Sequence, residues 1–205
     1  EFLRGVYMSL KNEKLIHAAY VGDLNQIKIL LEKGVDCNCV DDKNYTSLMR
    51  AKTFAITRFL LKCGANPNHK GGGGYTALML AKTASQARIL LEMGADPNMQ
   101  NNDGYTALMI FSEMGNKEIV KVLLKNKANV HIRSHPPGDA SAFLNALCEG
   151  HLEILNLLIK YGVNINKENK SLHYNTLEKL VDVAPSVRTR NFVEKHLLLA
   201  KNKKK

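Results

Sequence analysis

The chain has no tryptophan, and aromatic residues make up only 6% of its 205 positions. An interior built on aromatic packing is therefore excluded, and the 45% apolar content must be carried by Leu, Ile, Val, Ala and Met. Cysteine is scarce: Cys37, Cys39, Cys63 and Cys148 are irregularly spaced. They do not form the framework of a disulfide-stapled domain, and point to a reducing intracellular setting, cytoplasmic or nuclear. No apolar run approaches the ~18 residues of a membrane span, and no basic-then-apolar leader opens the chain. Proline is limited to five positions, and Pro67 and Pro97 fall at equivalent points of a repeating frame.

That frame is the dominant feature. Gly94-Ala95-Asp96-Pro97-Asn98 followed by Gly104-Tyr105-Thr106-Ala107-Leu108 is foreshadowed thirty residues earlier by Gly64-Ala65-Asn66-Pro67-Asn68 and Gly74-Tyr75-Thr76-Ala77-Leu78. Thirty residues before that stand Gly34-Val35-Asp36-Cys37-Asn38 and Asn44-Tyr45-Thr46-Ser47-Leu48. A unit of about 30 residues cannot bury its own apolar face, so copies must stack. Each unit reads as helix, turn, helix: Asp23 caps a helix carrying Ile27, Leu30 and Leu31, and Gly34 ends it in a left-handed cap. The polar stretch that follows returns as a hairpin-like finger.

Thr76-Ala77-Leu78-Met79-Leu80-Ala81, Leu90-Leu91-Glu92-Met93-Gly94-Ala95-Asp96-Pro97-Asn98 and the Gly104 to Leu108 return resemble ankyrin repeats. The resemblance covers residues 12–166 as about five repeats. It implies an all-α solenoid of stacked helix-turn-helix units, with finger loops on one side and binding on the concave surface of fingers and first helices. Residues 1–11 read as a patternless lead-in, 167–200 as a divergent helical cap and 201–205 as a solvated Lys tail. Relative to a period of ~33, the units closing at Gly64 and Gly94 lack three residues, which the sequence places between the two helices. The loop at 131–139 gains two residues and contains Pro136-Pro137-Gly138.

Net charge is +10, but residues from Lys167 onward hold ten Lys or Arg against four acids. The basic excess is thus largely terminal, and nucleic acid or acidic membrane would be reached only through that end. Gly71-Gly72-Gly73-Gly74 lacks the following Lys-Ser/Thr of a phosphate loop and reads as a flexible or truncated finger tip. Cys37, Cys39, Cys63 and His69 lack paired C-x-x-C spacing, so no metal site is expected. His131, His135 and His173 have no companion nucleophile, and no catalytic residue, cofactor or small-molecule substrate is expected.

Tyr45, Tyr75 and Tyr105 precede Thr in three consecutive repeats, beside the tip residues Asp42, Lys43, Asn102 and Asp103. These, with Glu113 and Met114 at the end of a first helix, are the candidate partner-binding residues. Each Tyr either anchors a partner or packs on its neighbouring finger. The expectation is a monomeric, non-enzymatic protein-interaction module. Within the resembled family such stacks also occur in secreted bacterial or viral proteins that act on host proteins in the host cytosol. The alternative is the substrate-recognition or adaptor part of a larger enzyme or ligase complex.

Overall fold

The computed structural model describes residues 2–136, 140–165 and 184–202. The chain divides into two compact units, Glu1–Asn102 and Asp103–Lys205. The first contains helices α1 (Phe2–Val21), α2 (Leu24–Glu32), α3 (Ser47–Arg50), α4 (Phe54–Lys62) and α5 (Ala84–Glu92). The second contains α6 (Ala107–Glu113), α7 (Lys117–Lys125), α8 (Ala142–Cys148), α9 (Leu152–Lys160) and α10 (Val187–Asn202). Among the described residues, β pairing amounts to one isolated antiparallel bridge between Val40 and Thr46. Of the helical cap expected over 167–200, residues 167–183 lie outside the described residues. Ala184 is buried, and Pro185 and Thr189 approach Gly150 at the turn before α9.

Most of these helices are too short to persist alone, so their ends must be secured. Side-chain oxygens do this. Thr46 accepts from Met49 N at 3.4 Å, Thr53 from Ile56 N at 3.3 Å, Thr83 from Gln86 N at 3.2 Å and Thr106 from Met109 N at 3.3 Å. Asn116 and Ser141 cap α7 and α8 in the same way. Apolar residues at helical spacing then point inward: Ile27 and Leu30 from α2, Ile56 and Leu60 from α4, Ile119 and Leu123 from α7, Ile154 and Leu158 from α9.

Two boundaries differ from the sequence expectation. Helix α1 starts at Phe2, so residues 2–11 continue the first helix instead of forming a patternless lead-in. Their Leu, Arg, Met and Lys content supports a helix through propensity even where no apolar stripe marks it. The second difference concerns the three missing residues. The linkers 51–53 and 114–116 are equally long, whereas α3 has 4 residues against 7 in α6. In the next repeat the corresponding segment, 77–80, is a single turn. The deletion removes a turn of the first helix and leaves the linker intact.

The shortened helix loses backbone hydrogen bonds, and neighbours replace them. The linker runs extended, with Ala51 at ψ 117°. Lys52 N donates to Ala19 O of α1 at 3.0 Å. On the other side Gln86, 3% exposed, donates through Nε2 to Ala51 O and to Thr57 Oγ1, both at 3.1 Å, while its Oε1 accepts from Lys82 N at 3.1 Å. At the full-length linkers left-handed Gly115 and Gly150 turn the chain sharply, and the end of α6 takes its lateral bond from His151 Nε2, 2.9 Å from Glu113 O.

Finger bases are joined by asparagine. Asn38 Oδ1 accepts from Asn66 N at 2.7 Å and its Nδ2 donates to Gly64 O at 3.1 Å. Asn68 repeats the arrangement one unit on, with Asp96 N at 2.8 Å and Gly94 O at 2.9 Å.

Two stability predictions follow from these contacts. Gln86→Met keeps the volume but leaves Ala51 O unmet in a buried position, so urea denaturation is expected to show a loss of about 2 kcal/mol. Lys127 occupies the left-handed position (φ 63°) held by glycine after α2, α4, α5 and α9. Lys127→Gly is expected to raise stability by about 1 kcal/mol in the same assay.

Candidate functional site

In the first unit the site begins with α1. Glu13, His17 and Tyr20 recur at helical spacing on one exposed face, above buried Ile16. Across from them stand Asp41, in the first finger, and Arg50, the last residue of α3; together these six line a groove of about 280 Å³. Asp41 is the organiser of the finger. Its Oδ1 accepts from Lys43 N at 3.0 Å and Tyr45 N at 2.8 Å, and its Oδ2 accepts from Arg50 at 3.3 Å. The Arg50 guanidinium lies 4.2 Å from the centre of the Tyr45 ring. An aromatic face below and a carboxylate beside it hold this cation in one orientation, while about a third of its side chain stays exposed at 34%.

Tyr45 is itself half-buried, and its hydroxyl donates to Gly72 O of the next finger at 3.2 Å. Tyr75 is half-buried too, against its own finger at Gly73. The two rings thus flank one glycine turn, Gly72–Gly74. That turn is tightly packed, which differs from the expected flexible tip. A Cβ on Gly72 would sit 2.7 Å from Lys43 O, and one on Gly74 would sit 2.8 Å from Asn102 N. Asn102 N donates to Gly73 O at 2.9 Å, so the glycines are there to let three backbones approach. Asp42, Lys43 and Asn102 are exposed around this cluster.

The second unit places the remaining candidates. Tyr105 is half-buried and Asp103 exposed, with Asp103 O accepting from His135 N at 3.1 Å. The enlarged finger is closed at its base by Ser134 N donating to Ala140 O at 2.9 Å and Ala140 N to Ser134 Oγ at 2.7 Å. Glu113 works within the fold: Oε2 accepts from Asn145 Nδ2 at 3.1 Å, and its backbone oxygen pairs with His151 Nε2 at 2.9 Å. His151 therefore spends its ring on α6 and makes no side-chain cap on α9. Met114 is 69% exposed.

Among the described residues no three His, Cys, Asp or Glu side chains are grouped to hold a metal ion, and no helix is long and apolar enough to cross a membrane. Of the four residues weighed as a metal set, Cys39 and His69 turn to different partners: Cys39 Sγ lies 3.9 Å from Asn12 O and His69 Nε2 3.0 Å from Asn44 O.

The stacked helix pairs, their left-handed glycine ends and the asparagine-linked finger bases coincide with a match to the family model for ankyrin repeats (3 copies), over residues 15–101 and again 82–169. The chain belongs to the ankyrin-repeat family. Ankyrin repeats are in general protein–protein interaction modules and typically non-catalytic. Among curated proteins, no relative matches this chain.

The groove on α1 was not anticipated from the sequence. A signal existed: Arg50 stands at the register of Leu80 and Ile110 in the following ankyrin repeats, a charge where its counterparts are apolar. Substitutions should separate the contacts in this site. Tyr45→Phe is expected to cost about 1 kcal/mol, through the lost bond to Gly72 O. Gly74→Ala combines a positive φ of 75° with a clash against Asn102 and should cost at least about 2 kcal/mol by chemical denaturation.

Proposed function

We propose that this ankyrin-repeat chain is a non-enzymatic recognition module that binds a protein partner over its fingers and first helices. The observation that carries this reading is Arg50, immobilised by Tyr45 and Asp41 at the edge of the groove lined by Glu13, His17 and Tyr20. A pre-oriented guanidinium loses little freedom on contact, and aromatic and arginine side chains dominate the energy of protein interfaces. Tyr20 is 59% exposed and supplies apolar area on the opposite wall. The exposed tips at Asp42 and Lys43 extend the same surface, and in the second unit Tyr105, Asp103 and Met114 are its counterparts. Tyr75 and Asn102, packed around the glycine turn, set the shape that the tips present.

The same surface would serve a host-directed effector or the recognition arm of a larger assembly, and the partner's identity decides between them. Capture from lysate should compare the wild-type chain with Tyr20→Ala/Arg50→Ala and with a control on the exposed second-helix face, Arg58→Ala/Arg88→Ala. The expected outcome is a partner lost at least tenfold by the first variant, retained by the control, with both variants folded by circular dichroism. Loss only in the second-helix control would sink the assignment of the surface.

A further inference from the structure

Cys37 and Cys63 belong to different repeats and meet at one contact. Cys37 lies in the base of the first finger, at the register that Pro67 and Pro97 fill in the next two repeats. Cys63 is the C-terminal cap of α4, where the registers before and after carry Lys33 and Met93. The contact is direct: Cys37 Sγ donates to Cys63 O at 3.3 Å. It is also held, because Asn38, next to Cys37, bonds Gly64 O at 3.1 Å and Asn66 N at 2.7 Å, fixing the two backbones beside the thiols. From the length of the bonds joining a carbonyl oxygen to its own Cα, Cys37 Sγ lies within about 6 Å of Cys63 Cα. Closing a disulfide from this contact takes rotation of the two side chains and whatever backbone adjustment brings the Cα atoms within about 7 Å.

We propose that Cys37 and Cys63 form a thiol–disulfide exchange site that closes an inter-repeat disulfide when the chain meets a low-molecular-weight disulfide of the glutathione class. Cys63 is exposed and reacts first. Its thiolate attacks one sulfur of the small disulfide, forming a mixed disulfide and releasing one thiolate. Cys37, after losing its proton to solvent, attacks Cys63 Sγ and expels the second thiol. Two protein thiols are oxidised and one small disulfide is reduced to two thiols.

The other cysteine of the finger is a poor competitor. Cys39 is buried, its sulfur is directed at Asn12 O of α1, and burial followed by the Asp36 and Cys37 charges pushes its thiol up to about 11. The Cys37 thiol is raised as well, first by burial and then by Asp36 and Cys63, which lowers its thiolate fraction and slows the resolving step; what sets it apart from Cys39 is its position against Cys63. The closed bond would tie the first finger to the end of α4 across 26 residues of sequence and restrict the unfolded chain accordingly.

The test uses the full chain equilibrated with glutathione disulfide, quenched with acid and digested with trypsin without reduction. Cleavage after Lys33, Lys43, Lys62 and Lys70 isolates peptide 34–43 from peptide 63–70. The expected result is a linked 34–43/63–70 pair in the wild type and in Cys39→Ser, absent from Cys37→Ser and Cys63→Ser. The oxidised wild type should melt a few degrees above its reduced form, and the gain should vanish in Cys63→Ser. Fragmentation of the wild-type pair assigns the sulfur directly, independent of how any variant folds. A stable glutathione adduct on Cys63 without closure, a linkage surviving Cys37→Ser, or an intermolecular product would each overturn the proposal.

Discussion

A repeat of some thirty residues has no interior of its own, so every polar group left open by one unit has to be met by the next. This lateral hydrogen bonding is the constraint on which the first unit depends. Hydrophobic burial of Ile27, Ile56 and Leu90 supplies the larger free energy but says little about register, because a leucine surface slides. Asn38 and Asn68 do not slide. Each accepts from one backbone amide and donates to one carbonyl of the following repeat, which admits a single offset. Gln86 plays the same part at the opposite end of the helices, where the first helix is short.

The form of the lateral bond follows the length of the first helix. Where the first helix keeps 7 residues, a left-handed glycine turns the chain, and at α6 the His151 ring meets Glu113 O. Where it does not, the linker is extended and borrows partners from α1 and α5. The same economy explains Asp41. One carboxylate gathers two backbone amides and a guanidinium, so the finger and the C-terminus of α3 are set by a single side chain.

Much of this was legible in the sequence because it is local. Thr46, Thr53, Thr83 and Thr106 announce helix starts through capping chemistry that depends on three residues, and Gly34, Gly64 and Gly94 announce helix ends through a backbone angle. Together with the Leu90-Leu91-Glu92-Met93-Gly94-Ala95-Asp96-Pro97-Asn98 run, they carry the resemblance to ankyrin repeats. What was not legible depends on neighbours in space. Period counting cannot tell a missing helical turn from a missing linker, since both shorten the repeat equally. The helical start of α1 lacks the apolar stripe that periodicity looks for. The glycine run reads as freedom when viewed along the chain, and only the approach of Lys43 O and Asn102 N shows it to be compression. The groove around Arg50 draws on α1, a finger and α3, which no window of sequence contains.

The compressed glycine turn also bears on how this unit can change over generations. A side chain gained at Gly72 or Gly74 would have to push apart the fingers on either side, so drift at the second finger is coupled to two neighbours at once. Asp42 and Lys43 face open space, and replacements there disturb nothing behind them. Variation in this part of the molecule is therefore channelled into the first finger, while the second acts as a fixed spacer that keeps the others in step.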